Sequence, residues 1–200
     1  MSNTEAWFAT PIYNVNIIGT AFEEIQKDFS EAFDSIKNRG DFDYTDEWGS
    51  TTRFSDPSFT NNFLQEFNIV SFEQELNLHI KRYLSQIGFV LHPKMSYRIG
   101  ASWMTLSRKG NYGHIHSHGA SDISGVYYFK TNSNDGDLFF ETPNKLLTSS
   151  FCFNHMHSRA YYKPEPGKLL LFPGWLEHGV QTNTTDHERV SVSFNIHFAR

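Results

Sequence analysis

Three histidines alternate along one short segment of the sequence. His114, His116 and His118 occupy every second position of the stretch 113–119. Side chains two residues apart in an extended segment point to the same side, so these three imidazoles can share a face. Imidazole is the commonest metal ligand in proteins. The spacing therefore predicts a metal site, provided that another part of the chain supplies a further donor.

A donor of the right type follows an apolar stretch far along the chain. Residues 166–173 combine a Pro-Gly turn, four apolar residues and a closing proline, and Gly174 and then Trp-Leu-Glu-His178 follow them. His178 thus lies just beyond a buried strand that can direct it towards His116. Three ligands on one side leave the opposite positions of a metal open, which is the arrangement of non-haem iron(II) sites, usually with two histidines and one carboxylate.

The identity of the remaining ligand is open at this point. His118 shares the face of His116 and is favoured by spacing as a third imidazole. Asp122 is the alternative to His118, because its carboxylate could complete the site if the segment loops back. His114 could also replace His116 as the first ligand. The other late histidines, His155, His157 and His187, are predicted to lie on the surface or in turns.

The last predicted strand alternates between apolar and polar residues, so its two faces must meet different surroundings. One face is expected to pack under helices, and the other to face solvent or a polar cavity. Arg189 on the polar face can grip a carboxylate through two parallel hydrogen bonds, and the Ser191 hydroxyl can add a third. The apolar face consists of Val190, Val192, Phe194, Ile196 and Phe198. The polar face consists of Arg189, Ser191, Ser193, Asn195 and His197.

The first half of the sequence predicts two amphipathic helices. One begins at a capping box of Thr20 and Glu23, has apolar residues at spacings of three and four, and ends at Gly40. The other begins after Ser71, with Gln74 as the partner in a second capping box, and is stopped by Gly88. Between them, residues 41–62 are polar and predict mostly loop.

The second half predicts strands separated by turns. Besides a short strand at residues 8–12, the predicted strands are 95–106, 123–130, 137–141, 158–162, 168–172 and 189–198. We therefore expect a fold that is mainly β with flanking helices, a double-stranded β-helix (jelly-roll) barrel buttressed by two N-terminal helices. It is expected to form one domain over 1–200, with helical support at 1–94 and the jelly-roll core at 95–200.

Composition excludes several classes of protein. The sequence has 200 residues, a net charge of −5 and a single cysteine. No general nucleic-acid binding and no membrane association are expected from this charge and from the absence of long apolar stretches. The lone Cys152 excludes an internal disulfide, predicts a cytoplasmic protein, and is expected to be a core residue. An exposed strand edge would allow a homodimer.

Taken together, these motifs resemble those of a known family. The stretch from His116 to Tyr128 contains His-x-His and Ser-Gly-Val-Tyr-Tyr, followed by Gly-x-Leu-x-x-Phe-Pro-x-Trp-Leu-x-His up to His178 and Arg-x-Ser-x-x-Phe-Asn from Arg189 to Asn195. This pattern is similar to that of 2-oxoglutarate/iron(II) oxygenases of marine bacteria and tailed phages, in the prolyl-hydroxylase-like branch. Gly119 stands where the family commonly has proline.

The resemblance implies an enzyme, a 2-oxoglutarate-dependent non-haem iron dioxygenase that hydroxylates a small molecule or a protein side chain. Its cofactors would be Fe(II), 2-oxoglutarate as cosubstrate, and dioxygen. His116, His118 and His178 would be metal ligands, with Arg189, Ser191, Tyr128 and Asn195 binding the cosubstrate. Two alternatives remain: a cupin-like metal-binding protein or isomerase without oxygenase activity, and a structural jelly roll with incidental histidines.

Overall fold

The computed structural model describes residues 9–39, 43–45, 51–54, 62–146, 149, 151–152 and 157–199. This part of the chain contains three helices, α1 (Gly19–Arg39), α2 (Phe63–Glu66) and α3 (Val70–Gln86). It also contains the strands β1 (Tyr13–Asn16), β2 (Asp43–Thr45), β3 (Thr51–Phe54), β4 (Ser96–Ser107), β5 (Gly113–His116), β6 (Ile123–Lys130), β7 (Leu138–Glu141), β8 (Arg159–Tyr162), β9 (Lys168–Pro173), β10 (His178–Val180) and β11 (Arg189–Ala199).

The strands form two sheets. The larger sheet has the order β1-β9-β6-β11-β4-β3-β2, and the smaller one has the order β5-β10-β7-β8. Every strand pair in both sheets is antiparallel. The predicted fold class, a mainly β double-stranded β-helix with N-terminal helices, is confirmed.

One core lies between the helices and the larger sheet. Helix α1 buries Ile25, Phe29, Phe33 and Ile36, whose spacing of three or four residues makes one apolar stripe. The Phe29 ring lies 5.3 Å from that of Phe72 on α3 and 5.5 Å from that of Tyr127 on β6, measured between ring centroids. Within the described part of the chain, no helix is long and apolar enough to cross a membrane.

Both helix starts differ from the predicted capping boxes. Helix α1 begins at Gly19, which has a φ of 67°, so Thr20 already lies in the first turn. Helix α3 begins at Val70, and the Ser71 hydroxyl donates a hydrogen bond to Asp28 Oδ2 at 2.6 Å instead of capping. The side chain of Ser71 therefore ties the two long helices together. Gly40, the predicted end of α1, lies outside the described residues.

A second core lies between the two sheets. Strands β6 and β9 are buried on both faces, so their side chains alternate between the two cores. On β9, Leu169 and Leu171 face the helices, whereas Leu170 and Phe172 face the smaller sheet. This double burial explains why both segments are nearly continuous apolar runs in the sequence.

Strand β11 runs between β6 and β4, in the middle of the larger sheet. Its residues Val190, Val192, Phe194 and Ile196 belong to the core under the helices. Arg189, Ser191 and Ser193 point the other way and line a cavity between the sheets. The predicted division of this strand into an apolar and a polar face is confirmed, and the polar face meets a cavity.

Several short elements were predicted incorrectly. The first strand is β1, which pairs with β9, whereas residues 9–12 are in no strand and Phe8 lies outside the described residues. The segment predicted as mostly loop contains β2 and β3, which extend the larger sheet beside β4. Cys152 is exposed in a turn rather than buried, so its prediction as a core residue is wrong.

Candidate metal centre

Two of the predicted histidines face each other across adjacent strands. In the smaller sheet, His178 at the start of β10 is the register partner of His116 at the end of β5. Directly opposite residues in an antiparallel pair project to the same side, and their ring centroids are 4.4 Å apart. His178 is placed there by the turn after β9, in which the Leu176 amide donates to the Pro173 carbonyl at 3.0 Å.

The third imidazole comes from the turn that follows β5. His118 lies two residues beyond the end of the strand, and its backbone amide donates to the Gly174 carbonyl at 2.7 Å. Its ring centroid is 5.0 Å from that of His116 and 5.2 Å from that of His178. One potential ligand atom from each ring lies within 4.8 Å of the other two. We call His116, His118 and His178 the histidine triad.

Backbone carbonyls fix the orientation of two triad rings. His116 Nδ1 lies 2.7 Å from the His114 carbonyl oxygen, and His178 Nδ1 lies 2.9 Å from that of Leu176. In a neutral imidazole only one nitrogen carries a proton, and a carbonyl partner requires it on Nδ1. Nε2 of each ring then carries a lone pair rather than a proton, which is the arrangement expected of a metal-ligating histidine.

Burial keeps two of these rings in the form that can bind a metal. Desolvation, with a contribution from nearby His116, lowers the pKa of His178 to about 3. The same two causes lower the pKa of His118 to about 4. Both imidazoles are consequently neutral at neutral pH, and no proton competes with a metal for their lone pairs.

The triad opens into a cavity of about 290 Å³ between the two sheets. Its walls include apolar side chains such as Val126, Leu138 and Phe172. Of the described residues that line it, none is a carboxylate, and Arg189 is the one that carries a permanent charge. The cavity is therefore suited to an anionic ligand that can reach both the triad and Arg189.

Arg189 is buried and is held by the backbone of the turn before β7. Its Nη1 donates to the carbonyls of Asp135 and Gly136 at 2.8 and 2.9 Å. It makes no ion pair with any carboxylate in the part of the chain that the structure describes. A buried guanidinium without a carboxylate partner is costly, so this geometry is typical of a site that receives an anion.

Three hydroxyl side chains form a row across the strands beside Arg189. Thr105 on β4 is the register partner of Ser191, and Ser191 is the register partner of Tyr128 on β6. All three line the cavity. Burial raises the pKa of Tyr128 to about 12, so its hydroxyl keeps its proton and can donate a hydrogen bond. Arginine and hydroxyl groups together can bind one carboxylate through several hydrogen bonds.

The sequence of this region is similar to that of a known family. Residues 101–195 match the family described as "Putative 2OG-Fe(II) oxygenase". All the residues named above in the cavity wall fall within the match. Over these residues, slightly less than half of the chain, the sequence is similar to the 2OG-Fe(II) oxygenase family. Members of this family are non-haem iron enzymes, and Fe(II) and 2-oxoglutarate are their typical cofactors. Three imidazole ligands are compatible with Fe(II).

Solved structures of 2OG-Fe(II) oxygenases share the fold. A prolyl-4-hydroxylase from Pseudomonas putida has a TM-score of 0.61 at 14% identity, over 94% of this chain and 92% of that one. A prolyl hydroxylase from Trichoplax adhaerens, in complex with a hypoxia inducible factor peptide fragment, has a TM-score of 0.63 at 13% identity, over 93% and 83%. HygX from Streptomyces hygroscopicus, with nickel, 2-oxoglutarate and hygromycin B bound, has a TM-score of 0.57 at 14% identity, over 94% and 83%.

No curated protein matches the sequence. The solved structures above, two prolyl hydroxylases among them, share the fold of this chain, and none of them supports the association with phages that the resemblance suggested.

Three of the sequence-predicted residues lie away from the triad or the cavity. The exposed Asp122 accepts a hydrogen bond from the Phe198 amide at 2.8 Å, and it is not part of the cluster of potential ligands. Asn195 does not line the cavity, and its Oδ1 lies 2.8 Å from Ser124 Oγ. His157 is exposed and borders a separate surface groove. His155 lies outside the described residues.

His114 is not part of the triad. It lines the mouth of the cavity, but its side chain is exposed. Its Nε2 lies 3.4 Å from the Tyr112 hydroxyl. The structure therefore brings His116, rather than His114, together with His118 and His178.

Sequence reasoning missed the support behind Arg189. Asp135 belongs to an Asn-Asp-Gly turn in the sequence, but it is fully buried and accepts hydrogen bonds from the Thr131 hydroxyl at 2.5 Å and the Asn132 amide at 3.0 Å. His187, predicted as a solvated turn residue, is partly buried with Nδ1 3.1 Å from Asp135 Oδ2. The available signal was an Asn-Asp-Gly turn, which indicates a local conformation but no distant partner.

Proposed function

We propose that this chain is an Fe(II)- and 2-oxoglutarate-dependent dioxygenase that hydroxylates a small molecule or a protein side chain. The histidine triad would hold the metal, with His118 in the place of the usual carboxylate. The observation that carries the proposal is that three imidazoles and one buried guanidinium, which has no carboxylate ion-pair partner among the described residues, open into the same cavity. When bound, Fe(II) and 2-oxoglutarate supply the activation of dioxygen, with release of succinate and carbon dioxide.

The residues of the chain orient and enclose the cosubstrate. Arg189 would pair with the distal carboxylate of 2-oxoglutarate, while the hydroxyls of Ser191 and Tyr128 donate further hydrogen bonds to it. Thr105 lies next to Ser191 on the same face and would contact the same carboxylate. The apolar walls exclude water, which strengthens these electrostatic contacts and protects the reaction from competing hydrolysis.

The first experiment is an anaerobic titration of the Fe(II)-loaded protein with 2-oxoglutarate, followed by the visible charge-transfer band of their chelate. We expect the band in the native protein and its loss in His178→Ala. In Arg189→Ala, loss of a charge-assisted contact of roughly 2–3 kcal/mol should raise the concentration of 2-oxoglutarate needed by about 30- to 150-fold. The matched controls are His157→Ala and Arg159→Ala, which change residues outside the cavity.

The alternative is a cupin-like metal-binding protein or isomerase without oxygenase activity. Such a protein would need the triad but not Arg189, so Arg189→Ala would bind 2-oxoglutarate no more weakly than the native protein. Admission of air to the loaded protein separates the two functions further. Formation of succinate from 2-oxoglutarate supports the dioxygenase, whereas bound metal without any succinate would overturn it.

A further inference from the structure

His118 differs from the other two members of the histidine triad in how it is held. His116 and His178 lie on strands, and the Nδ1 of each contacts a backbone carbonyl. His118 lies beyond the end of β5, and neither of its ring nitrogens has a hydrogen-bond partner among the described residues. Since its ring is not oriented by its own hydrogen bond, its position depends on the backbone of its turn.

Hydrogen bonds hold the backbone of His118 at both its amide and its carbonyl group. The His118 amide donates to the Gly174 carbonyl at 2.7 Å, and the His118 carbonyl accepts from both the amide and the hydroxyl of Ser121 at 2.8 Å. The turn also packs tightly on Gly174, where a Cβ would lie 2.2 Å from the Ser121 carbonyl oxygen and 2.4 Å from Ser121 Oγ. Only glycine at 174 leaves room for this arrangement.

Ser121 is in turn connected to the larger sheet. Its Oγ lies 2.9 Å from Ser124 Oγ on β6, and Ser124 Oγ lies 2.8 Å from the Asn195 side-chain amide on β11. Ser121 and Ser124 are both buried. We propose that Ser121, Ser124 and Asn195 are positioning residues, which hold His118 in the geometry needed for a metal ligand. This inference rests on the proposed function of the triad.

A count of protons gives the direction of this chain of hydrogen bonds. Two hydroxyls carry two protons, but Ser121 and Ser124 take part in three contacts, with the His118 carbonyl, with each other and with Asn195. All three are satisfied if the Asn195 amide nitrogen donates to Ser124, Ser124 donates to Ser121, and Ser121 donates to the carbonyl. A half-turn of the amide group provides this donor. In this proposal Asn195 supports the position of the metal ligand His118 and does not bind the cosubstrate.

The test compares Co(II) binding by full-length variants, because the visible spectrum of Co(II) reports both affinity and the ligand set. Ser124→Ala removes the central hydroxyl, and Asn195→Asp replaces the donor by a carboxylate that cannot donate. We expect each variant to bind Co(II) about tenfold to 100-fold more weakly, as is usual when support of a ligand is lost. Their spectra should shift towards that of His118→Ala.

The matched control is Ser102→Ala. Ser102 is also a buried serine, with contacts to Asn62 Oδ1 at 2.7 Å and the Leu64 amide at 3.0 Å, but it lies outside the cavity wall. It should lose similar stability and keep the native Co(II) spectrum. Equal effects of Ser124→Ala and Ser102→Ala would overturn the positioning role. If His118→Ala leaves Co(II) binding unchanged, His118 is not a ligand and the inference fails. No Co(II) binding by the native protein would instead refute the metal site itself.

Discussion

At the scale of single residues, two adjacent tyrosines on β6 serve different parts of the molecule. Tyr127 points to the helices, where its hydroxyl accepts a hydrogen bond from Gln26 at 3.2 Å. Tyr128 points to the cavity, beside Ser191. Burial raises the pKa of each to about 12, so neither hydroxyl ionises at neutral pH. The two residues thus form a matched pair in which only one side chain can contact a cosubstrate.

We expect Tyr128→Phe to weaken binding of 2-oxoglutarate by about 5- to 15-fold, since one hydrogen bond contributes roughly 1–1.5 kcal/mol. Metal binding should be unchanged, because Tyr128 is not part of the histidine triad. The measurement is an anaerobic titration of the metal-loaded protein with 2-oxoglutarate. Tyr127→Phe is the control and should bind it normally. Similar weakening by both variants would indicate a general loss of structure and remove Tyr128 from the site.

At the scale of elements, the turn before β7 has to be built around Arg189. Gly136 has a φ of 101°, and a Cβ there would lie 2.3 Å from the Gln181 carbonyl oxygen and 3.1 Å from Arg189 Nη1. The Gly136 carbonyl is also one of the two acceptors of Nη1. The turn, the segment after β10 and the first residue of β11 are therefore packed as one unit.

Gly136→Ala should be markedly more damaging than an alanine at another glycine of similar backbone conformation. Gly110 has a φ of 88°, and a Cβ there would have no atom within 4 Å, so Gly110→Ala should cost only the left-handed strain of about 1–2 kcal/mol in unfolding free energy. Gly136→Ala should cost more and should also weaken binding of 2-oxoglutarate. Chemical denaturation and titration measure the two effects, and equal results for the two variants would contradict the role of this turn.

The elements that could be predicted from sequence are those with a strong periodic pattern. Helices α1 and α3 and strands β6 and β11 were located within a few residues, because each has a complete face or two faces in a core. Strands β2, β3, β5 and β10 have three or four residues each and lack the apolar or aromatic run that marks the equally short β7 and β8. Their pairing depends on neighbours that are distant in the sequence.

The candidate site was predictable to a similar degree. Spacing and motifs named the triad and Arg189, since alternation decides which side chains share a face. The part played by Asn195 could not be deduced, because it depends on contacts with Ser124 on another strand. The support of Arg189 by Asp135 is likewise a contact between the first residue of β11 and a turn 54 residues earlier in the chain.

At the scale of the whole molecule, the buried triad couples folding to pH. The pKa of His178 is about 3 in the folded protein against an ordinary value of 6.5. Between these values the unfolded chain binds more protons than the folded one, so the free energy of unfolding falls as the pH falls. The lowered pKa of His118 acts in the same direction.

For the metal-free protein, lowering the pH from 7 to 5 should cost about 2 kcal/mol of stability through His178 alone. His178→Gln, which cannot titrate, should lose about 2 kcal/mol less than the native protein over the same interval. Urea denaturation at the two pH values measures the difference. The same pH dependence in both proteins would show that His178 titrates normally in the fold.

Strand β11 has one further consequence, which concerns how the chain finds its pairing. A slip of one residue against β4 or β6 would exchange its two faces. Arg189, Ser191 and Ser193 would then be buried in the hydrophobic core under the helices. Val190, Val192 and Phe194 would instead fill the cavity. Burial of the polar side chains and filling of the cavity by apolar ones would each destabilise the protein. A shifted register of β11 is therefore disfavoured on both faces of the strand. The polar residues of β11 that line the cavity therefore also favour the correct register of the sheet. Residues at the mouth of the cavity could change without loss of this effect.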